Sequence, residues 1–194
     1  MRLFVALSLP DAARADLERL QSGLRAAKWV APENFHLTLR FLGELGGCAA
    51  GDVDAALSVL HLPSFATRLE GLGTFGEGRK LRALWAGVGD CPDLQRLQAK
   101  VERAVISAGL APEPRKFKPH VTLARFKRPA SQGQRVGEFL QGHSLFKTSA
   151  FEVSEFHLFS SSLGRQGPVY RPEARYRLGG DPAPLSLEAI EAGP

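Results

Sequence analysis

The chain carries one short pattern twice: a histidine and a threonine separated by a single apolar residue, in His36–Leu39 (HLTL) and His120–Leu123 (HVTL). From five histidines and five threonines in 194 residues, about 0.13 such pairs are expected by chance. Side chains of an extended strand alternate between its faces, so each HxT pattern predicts a strand with histidine and threonine on one face and apolar residues on the other. Two ordinary core strands with hydrogen-bonded histidines are the alternative, and the repetition argues against it.

The two HxT patterns end two strand-helix-strand units of nearly equal length. Leu3 precedes His36 by 33 positions, and Leu84 precedes His120 by 36. Helical spacing of apolar residues predicts the two helices, and Asp11 is placed to cap the first of them. The predicted elements are strand 2–8, helix 11–27 and strand 35–42, followed by strand 82–88, helix 92–108 and strand 119–126. Such an internal duplication favours packing about a pseudo-twofold axis, which would bring the two patterns together.

The remaining segments complete one domain and a tail. Periodicity predicts helices near 49–60 and 131–140 and strands near 65–72, 151–159 and 169–178. Residues 179–194 are rich in proline and alanine, contain acidic residues and have no lysine or arginine. We therefore expect a single domain over residues 1–178 and a flexible acidic tail over 179–194.

Composition excludes several classes of protein. The sequence has no run of about 18 apolar residues, and Pro10 and Asp11 interrupt the apolar start too early for a signal peptide, so a cytoplasmic protein without a membrane span is expected. Cys48 and Cys91 are isolated and predict neither a disulfide scaffold nor a zinc ribbon. No obligate protein partner is predicted.

The net charge of +5 arises from clustered basic residues. Six of them lie within 115–128, around His120 and without an acidic residue, and a second cluster comprises Arg165, Arg171, Arg175 and Arg177. Either cluster alone is typical of solvated surface. Basic residues around a candidate phosphate site favour an anionic, nucleic-acid substrate, with small nucleotides as the alternative.

Other motifs in the sequence are weaker. Residues 71–76 (GLGTFG) match the dinucleotide fingerprint GxGxxG, but a strand follows them where that fingerprint needs a helix, so we expect a flexible loop that joins the two units. The sequence contains no HExxH or HxH pattern, and threonine is a poor ligand for a transition metal, so no metal site is expected. His61, His143 and His157 lack a threonine two residues later and are expected to be structural.

Two imidazoles and two hydroxyls in one site are suited to phosphate ester chemistry. An imidazole with the ordinary pKa of about 6.5 exists in both protonation states near neutrality, so one ring can remove a proton while the other delivers one. The threonine hydroxyls can donate hydrogen bonds to an anionic centre between the rings. Together these groups predict hydrolysis of a phosphate ester without a metal.

The chain resembles the 2H phosphoesterase superfamily, and within it the RNA 2',3'-cyclic phosphodiesterases, also called 2'-5' RNA ligases, of the LigT/ThpR type. The resemblance covers about residues 2–178 and is carried by five blocks in the expected order: RLFVA from Arg2, HLTLRFLGEL from His36, RALW from Arg82, FKPHVTLARF from Phe117, and EFHLFSSSL from Glu155, which continues to GPVY at Gly167–Tyr170. The paired HxT pattern with these flanks makes the resemblance specific.

The resemblance implies an α+β fold of two lobes, each an antiparallel sheet with outer helices, related by a pseudo-twofold axis with the active-site cleft between them. It implies that His36, Thr38, His120 and Thr122 are catalytic, that Arg125 contacts the phosphate and that Phe41 stacks on a base. The alternatives are a core position for Phe41 and a surface cation for Arg125. The substrates implied are RNA ends or nucleotides that carry a 2',3'-cyclic phosphate, and no cofactor is needed.

The implied reaction opens the cyclic phosphate and leaves a 2'-phosphate. Our expectation makes His120 the base and His36 the acid, with Thr38, Thr122 and Arg125 stabilising the negative charge. In reverse, an RNA 5'-hydroxyl would form a 2'-5' linkage without ATP. The alternatives are a nucleotide- or RNA-binding module of the same fold with little turnover, and a phosphodiesterase that acts on small cyclic phosphates.

Overall fold

We describe a computed structural model over residues 1–126, 133–164 and 167–179. In these ranges the chain forms four α-helices and ten strands. The helices are α1 (Asp11–Arg19), α2 (Gly47–Ser58), α3 (Pro92–Ser107) and α4 (Gly133–Gly142). The strands are β1 (Arg2–Ser8), β2 (Ala27–Trp29), β3 (His36–Glu44), β4 (Phe65–Thr67), β5 (Leu69–Phe75), β6 (Ala83–Val88), β7 (His120–Phe126), β8 (Phe151–Val153), β9 (Glu155–Gly164) and β10 (Gly167–Arg177). The tail expected after residue 179 lies outside the described residues.

Eight of the strands form one sheet whose order runs β10-β9-β1-β3-β7-β6-β5, with β2 paired to β7. Strands β4 and β8 form a separate pair, and every registered pairing between strands is antiparallel. The order is similar on the two sides of the β3–β7 junction, because β1 lies beside β3 as β6 lies beside β7; β9 and β10 follow on one side and β5 on the other. This arrangement confirms the expected α+β fold with two related halves.

In the described residues, β3 and β7 share a single registered pair, Leu37 with Val121, and β2 pairs with the later part of β7. By contrast, β1 and β3 share seven registered pairs. We call the central pair and the four flanking side chains His36, Thr38, His120 and Thr122 the seam. Since the middle residue of each HxT pattern forms the pair, the local pseudo-twofold axis passes between the two patterns.

Apolar residues from the strands and the helices share one core. Leu37 and Val121 are buried on the face opposite the histidines, where they belong to the same cluster as Leu17 of α1, Leu57 of α2 and Leu97 of α3. Burial of each such side chain stabilises the fold by roughly 1.5–3 kcal/mol. The predicted alternation of apolar and polar residues in the HxT strands therefore corresponds to a core face and a site face.

Arg40 of β3 ties the first half to the second on the core side. Its guanidinium donates hydrogen bonds to the carbonyl oxygens of Phe41 at 2.8 Å and Ala111 at 2.5 Å and to Glu113 at 3.3 Å. Its Nε lies 2.7 Å from Oε2 of Glu102 on α3, although the angle makes this contact an ion pair without a hydrogen bond. Glu102 also accepts a hydrogen bond from the backbone N–H of Glu113 at 2.8 Å. We call this cluster the Arg40 latch.

Several predicted boundaries were wrong. Helix α1 ends at Arg19 instead of residue 27, because residues 27–29 form β2 and pair with β7. Pro10 occupies its N-cap position and no side chain caps it, so Asp11 lies in the first turn and is not the cap. Two predicted strands are each interrupted, at Arg68 and at Ser154, because their first parts form the separate β4-β8 pair.

The GLGTFG segment was predicted to be a flexible loop, and this prediction was wrong. Residues 71–75 belong to β5, which pairs with β6 from Leu69 to Phe75. Gly76 then turns the chain with a φ of +77°, and a short 3-10 helix at Gly78–Lys80 leads to β6. The predicted strand, β6, thus follows the glycines where the dinucleotide fingerprint requires an α-helix.

Candidate active site

The seam brings the two HxT patterns side by side. In an antiparallel pairing, the residue before Leu37 lies next to the residue after Val121, so His36 neighbours Thr122 and Thr38 neighbours His120. All four side chains are half-buried and point away from the core that contains Leu37 and Val121. Each histidine therefore has the hydroxyl of the other pattern as its neighbour across the seam.

Both imidazoles are held in the same way. Nδ1 of His36 lies 2.8 Å from the carbonyl oxygen of Asn34, and Nδ1 of His120 lies 2.7 Å from that of Lys118, two residues earlier in each case. A carbonyl oxygen only accepts hydrogen bonds, so each Nδ1 carries the proton and donates. The unprotonated Nε2 of each neutral ring is then the atom left to accept a proton from a reactant.

Burial is the largest cause that lowers the pKa of both His36 and His120. The carbonyl oxygens of Asn34 and Lys118 act in the opposite direction, because they stabilise the protonated ring. The positive charge of Arg125 lowers the pKa of each histidine, and protonation of His120 lowers the pKa of His36. The two rings and Arg125 are therefore close enough to interact electrostatically.

Each histidine packs against two aromatic rings. The ring of His36 lies 4.9 Å from Phe4 and 5.0 Å from Tyr170 between centroids. The ring of His120 lies 4.8 Å from Phe75 in an edge-to-face arrangement and 6.3 Å from Trp85. These contacts fix the ring planes and remove water from one side of each imidazole, which is the physical origin of the desolvation noted above.

Arg125 and Phe41, the two residues expected to bind substrate, are both accessible. Arg125 is exposed on β7. Burial raises the pKa of Tyr170, and the positive charge of Arg125 opposes that rise in the same way that it lowers the pKa of the two histidines. Phe41 is 53% exposed and its ring centroid lies 6.1 Å from that of Phe4. A core position for Phe41 is thus excluded, and its exposed ring is available for stacking on a base.

Sequence reasoning missed the aromatic walls and the special position of Lys118. Tyr170 was noted only within a family block, and Phe75 lay in the segment taken for a loop. Lys118 was counted in a basic cluster, although its position two residues before His120 matches that of Asn34 before His36. A comparison of the residues two positions before each histidine would have identified Lys118 from the sequence.

The other three histidines do not join the seam. His61 and His143 donate from Nδ1 to nearby carbonyl oxygens, that of Val59 at 2.9 Å and that of Phe139 at 2.8 Å. His157 is buried on β9, with Nε2 3.2 Å from Glu155. It shares a face with Thr38, because both are registered with Ala6, but the β1 strand separates them.

Other features of the described residues offer no rival centre. In residues 1–126, 133–164 and 167–179, no three His, Cys, Asp or Glu side chains are grouped to hold a metal ion. Across the same ranges, no helix is long and apolar enough to cross a membrane. A cavity of about 450 Å³ beside α3 is lined partly by Arg96, Lys100 and Arg103, and it contains no paired acid and base.

Comparisons with known proteins show the family to which the chain belongs. The family model of the 2'-5' RNA ligase superfamily matches residues 9–165. The RNA 2',3'-cyclic phosphodiesterase of Aeropyrum pernix is 39% identical over 145 residues, which are 74% of this chain and 82% of that protein. The RNA 2',3'-cyclic phosphodiesterase of Archaeoglobus fulgidus is 33% identical over 174 residues, which are 88% of this chain and 97% of that protein.

Solved structures show the same fold. A protein from Thermus thermophilus superposes with a TM-score of 0.77 at 31% identity, covering 93% of this chain and 100% of that chain. E. coli LigT in complex with 3'-AMP superposes with a TM-score of 0.76 at 26% identity, covering 92% of this chain and 98% of that chain. With the paired HxT patterns at the centre of this fold, the chain belongs to the 2'-5' RNA ligase superfamily.

Proposed function

We propose that the protein is an RNA 2',3'-cyclic phosphodiesterase that opens the cyclic phosphate of RNA ends or nucleotides by paired-histidine acid and base catalysis. The observation that carries this proposal is the seam, where two imidazoles anchored in the same way and two hydroxyls lie beside one registered pair of two strands. Two curated relatives that align with most of this chain carry that activity in their names, and the cytoplasmic location expected from the sequence stays a prediction.

In the proposed hydrolysis, neutral His120 removes a proton from water at Nε2 and the water oxygen attacks phosphorus. The bond from phosphorus to the ribose 3'-oxygen breaks in line, and protonated His36 delivers its proton to that oxygen. The product carries a 2'-phosphate and a free 3'-hydroxyl. Because His120 has gained a proton and His36 has lost one, solvent must return both rings to their starting states.

Thr38, Thr122 and Arg125 are proposed to bind the non-bridging oxygens of the phosphate. The hydroxyls lie beside the two rings and the guanidinium bears a permanent positive charge, so all three stabilise negative charge that develops on these oxygens. Phe41 is proposed to stack on the base of the terminal nucleotide. No residue of this set requires a cofactor.

The same arrangement supports ligation. An RNA 5'-hydroxyl takes the place of water as the attacking group, His120 removes its proton, and His36 again protonates the departing 3'-oxygen. The product is a 2'-5' phosphodiester, formed without ATP because the strained cyclic phosphate is the activated substrate. We include this ligation in the proposal as a second outcome of one chemistry.

The proposed function is tested by incubating the protein with a 2',3'-cyclic nucleotide in the presence of EDTA. We expect wild-type turnover to survive chelation and to fall by about 10²–10⁴-fold in both His36→Ala and His120→Ala. His61→Ala, which changes an exposed histidine outside the seam, is the matched control and should retain wild-type activity. Turnover that needs added metal, or that survives in both seam variants, would refute the mechanism. Binding without turnover in the wild type would instead support the binding-module alternative.

A further inference from the structure

The two halves of the seam differ by one charge at equivalent positions. The carbonyl that anchors Nδ1 of His36 belongs to Asn34, which is neutral, and the carbonyl that anchors Nδ1 of His120 belongs to Lys118. The two anchors match in position, because each residue lies two places before its histidine. The sequence duplication has therefore preserved the hydrogen bond and changed the charge beside it.

The ammonium group of Lys118 is held over the aromatic wall of His120. Its Nζ lies 4.3 Å from the ring centroid of Trp85 and 5.6 Å from that of Phe75. Both distances are in the range of cation–π attraction. These rings are the same ones that pack against His120, so the cation and the imidazole share one platform.

The GLGTFG segment explains why that platform can form. A Cβ atom at Gly73 would overlap the six-membered ring of Trp85, so only glycine lets the indole lie flat across β5 at this point. A Cβ atom at Gly87 on β6 would lie 2.9 Å from the backbone oxygen of Glu70 and 3.3 Å from the indole. Phe75 of the same segment supplies the second ring. We call Gly73, Phe75 and Trp85 the indole platform.

The charged groups that face His120 can be named element by element. Lys118 precedes it in the chain, Arg125 follows it on β7, and His36 faces it from β3 across the seam. From β5 and β6 the contacts are the uncharged rings of Phe75 and Trp85. Arg125 acts on both histidines, so within this set Lys118 is the charge that distinguishes His120 from His36.

We propose that Lys118, held by the indole platform, is a positioning residue that keeps His120 neutral between turnovers and thereby assigns it the role of general base. The inference rests on the proposed function, since it concerns which ring removes the proton in that reaction. The cation beside His120 favours the state in which the proton shared by the pair resides on His36, where Asn34 adds no opposing charge. The lysine acts through the imidazole and does not itself need to touch substrate.

The test compares Lys118→Gln with Lys118→Arg, Asn34→Lys and the control Lys116→Gln, an exposed lysine two residues earlier. Two quantities are measured: the titration midpoint of each imidazole by NMR in the free protein, and the pH dependence of kcat/KM with a 2',3'-cyclic nucleotide. Loss of the Lys118 charge should raise the midpoint of His120 and move the acid limb of kcat/KM to higher pH, because the base then loses its proton less readily. In Lys118→Arg and in Lys116→Gln, the acid limb of kcat/KM should lie at the same pH as in the wild type.

The charge at position 34 and the salt concentration provide two further tests. Asn34→Lys should lower the midpoint of His36 and move the basic limb to lower pH, which narrows the profile. Since Lys118 is exposed, the difference between wild type and Lys118→Gln should shrink in 1 M salt, where the screening length is about 3 Å.

An unchanged His120 midpoint in Lys118→Gln would overturn the inference, and so would movement of the basic limb alone, which would make His120 the acid. Absence of turnover in the wild type would refute the proposed function and with it the base assignment. The NMR titration would still decide whether Lys118 acts on His120, because it does not depend on turnover.

Discussion

The Arg40 latch makes a quantitative prediction about stability. Arg40 is 8% exposed, and Arg40→Met keeps most of its length while it removes the hydrogen bonds to two carbonyl oxygens and the ion pairs with Glu102 and Glu113. Loss of one partner from a buried ion pair costs about 3–5 kcal/mol, because the remaining charge is left uncompensated. The side chains of Glu102 and Glu113 are 19% and 20% exposed, so water partly compensates them. We therefore expect Arg40→Met to lower the free energy of unfolding by about 3 kcal/mol, near the lower end of this range.

The assay is equilibrium unfolding in urea, with the midpoint and the slope fitted separately. A loss of about 3 kcal/mol corresponds to a fall in Tm of about 6–12 °C for a domain of this size. Arg96→Met is the matched control, since Arg96 pairs with Asp93 on the same helix and both side chains are largely exposed. That variant should remain within about 0.5 kcal/mol of the wild type.

A decrease in the free energy of unfolding of less than about 1 kcal/mol in Arg40→Met would contradict this prediction, and so would an equal decrease in Arg96→Met. The latch also holds Ala111 and Glu113, in the segment that leads to Lys118 and His120. We therefore expect folded Arg40→Met to show a lower kcat, because the distance between the two HxT patterns is then less well fixed.

Two further predictions concern protonation and substrate binding. Burial lowers the pKa of His36 and His120 in the folded protein below the value of 6.5 that they have in the unfolded chain, so the unfolded state binds more protons below that pH. The free energy of unfolding should therefore fall as the pH decreases from about 7.5 to about 5.5. Equal midpoints of urea unfolding at these two pH values would contradict this prediction. Phe41→Ala should raise KM for a cyclic nucleotide by about 5- to 150-fold, from a stacking energy of about 1–3 kcal/mol, with little change in stability because the ring is half exposed. Leu163→Ala, at a 95% exposed position on β9, is its control, and equal KM values in the two variants would exclude stacking by Phe41.

Local periodicity was sufficient to predict most of the elements around the seam. Strand β1 was predicted with its observed bounds, and β3, β7 and α3 begin or end within two residues of the predicted positions. The duplication of the HxT pattern also predicted that the two histidines meet, since related units pack about a common axis. Each of these inferences depends on residues that are close in sequence or on a comparison of two short segments.

Features that depend on contacts between distant segments were not predictable in this way. Residues 27–29 have no strand signal of their own and become β2 because β7 offers an edge to pair with. The glycines of GLGTFG matched a known loop motif, whereas the actual reason for Gly73 is the indole of Trp85. Arg40 has the sequence environment of a strand residue, and only the fold reveals that Glu102 and Glu113 surround it.

The single registered pair between β3 and β7 affects the size of the substrate that the site can accept. Fully laddered strands would be joined by a hydrogen-bonded pair at every second residue, whereas β3 and β7 share one registered pair in the described residues, Leu37 and Val121. The space beside the two histidines is therefore not closed by a continuous ladder, while the pairing of β2 with β7 and the Arg40 latch hold the two halves in place. A site built in this way would accept a mononucleotide or the end of a long RNA without partial unfolding.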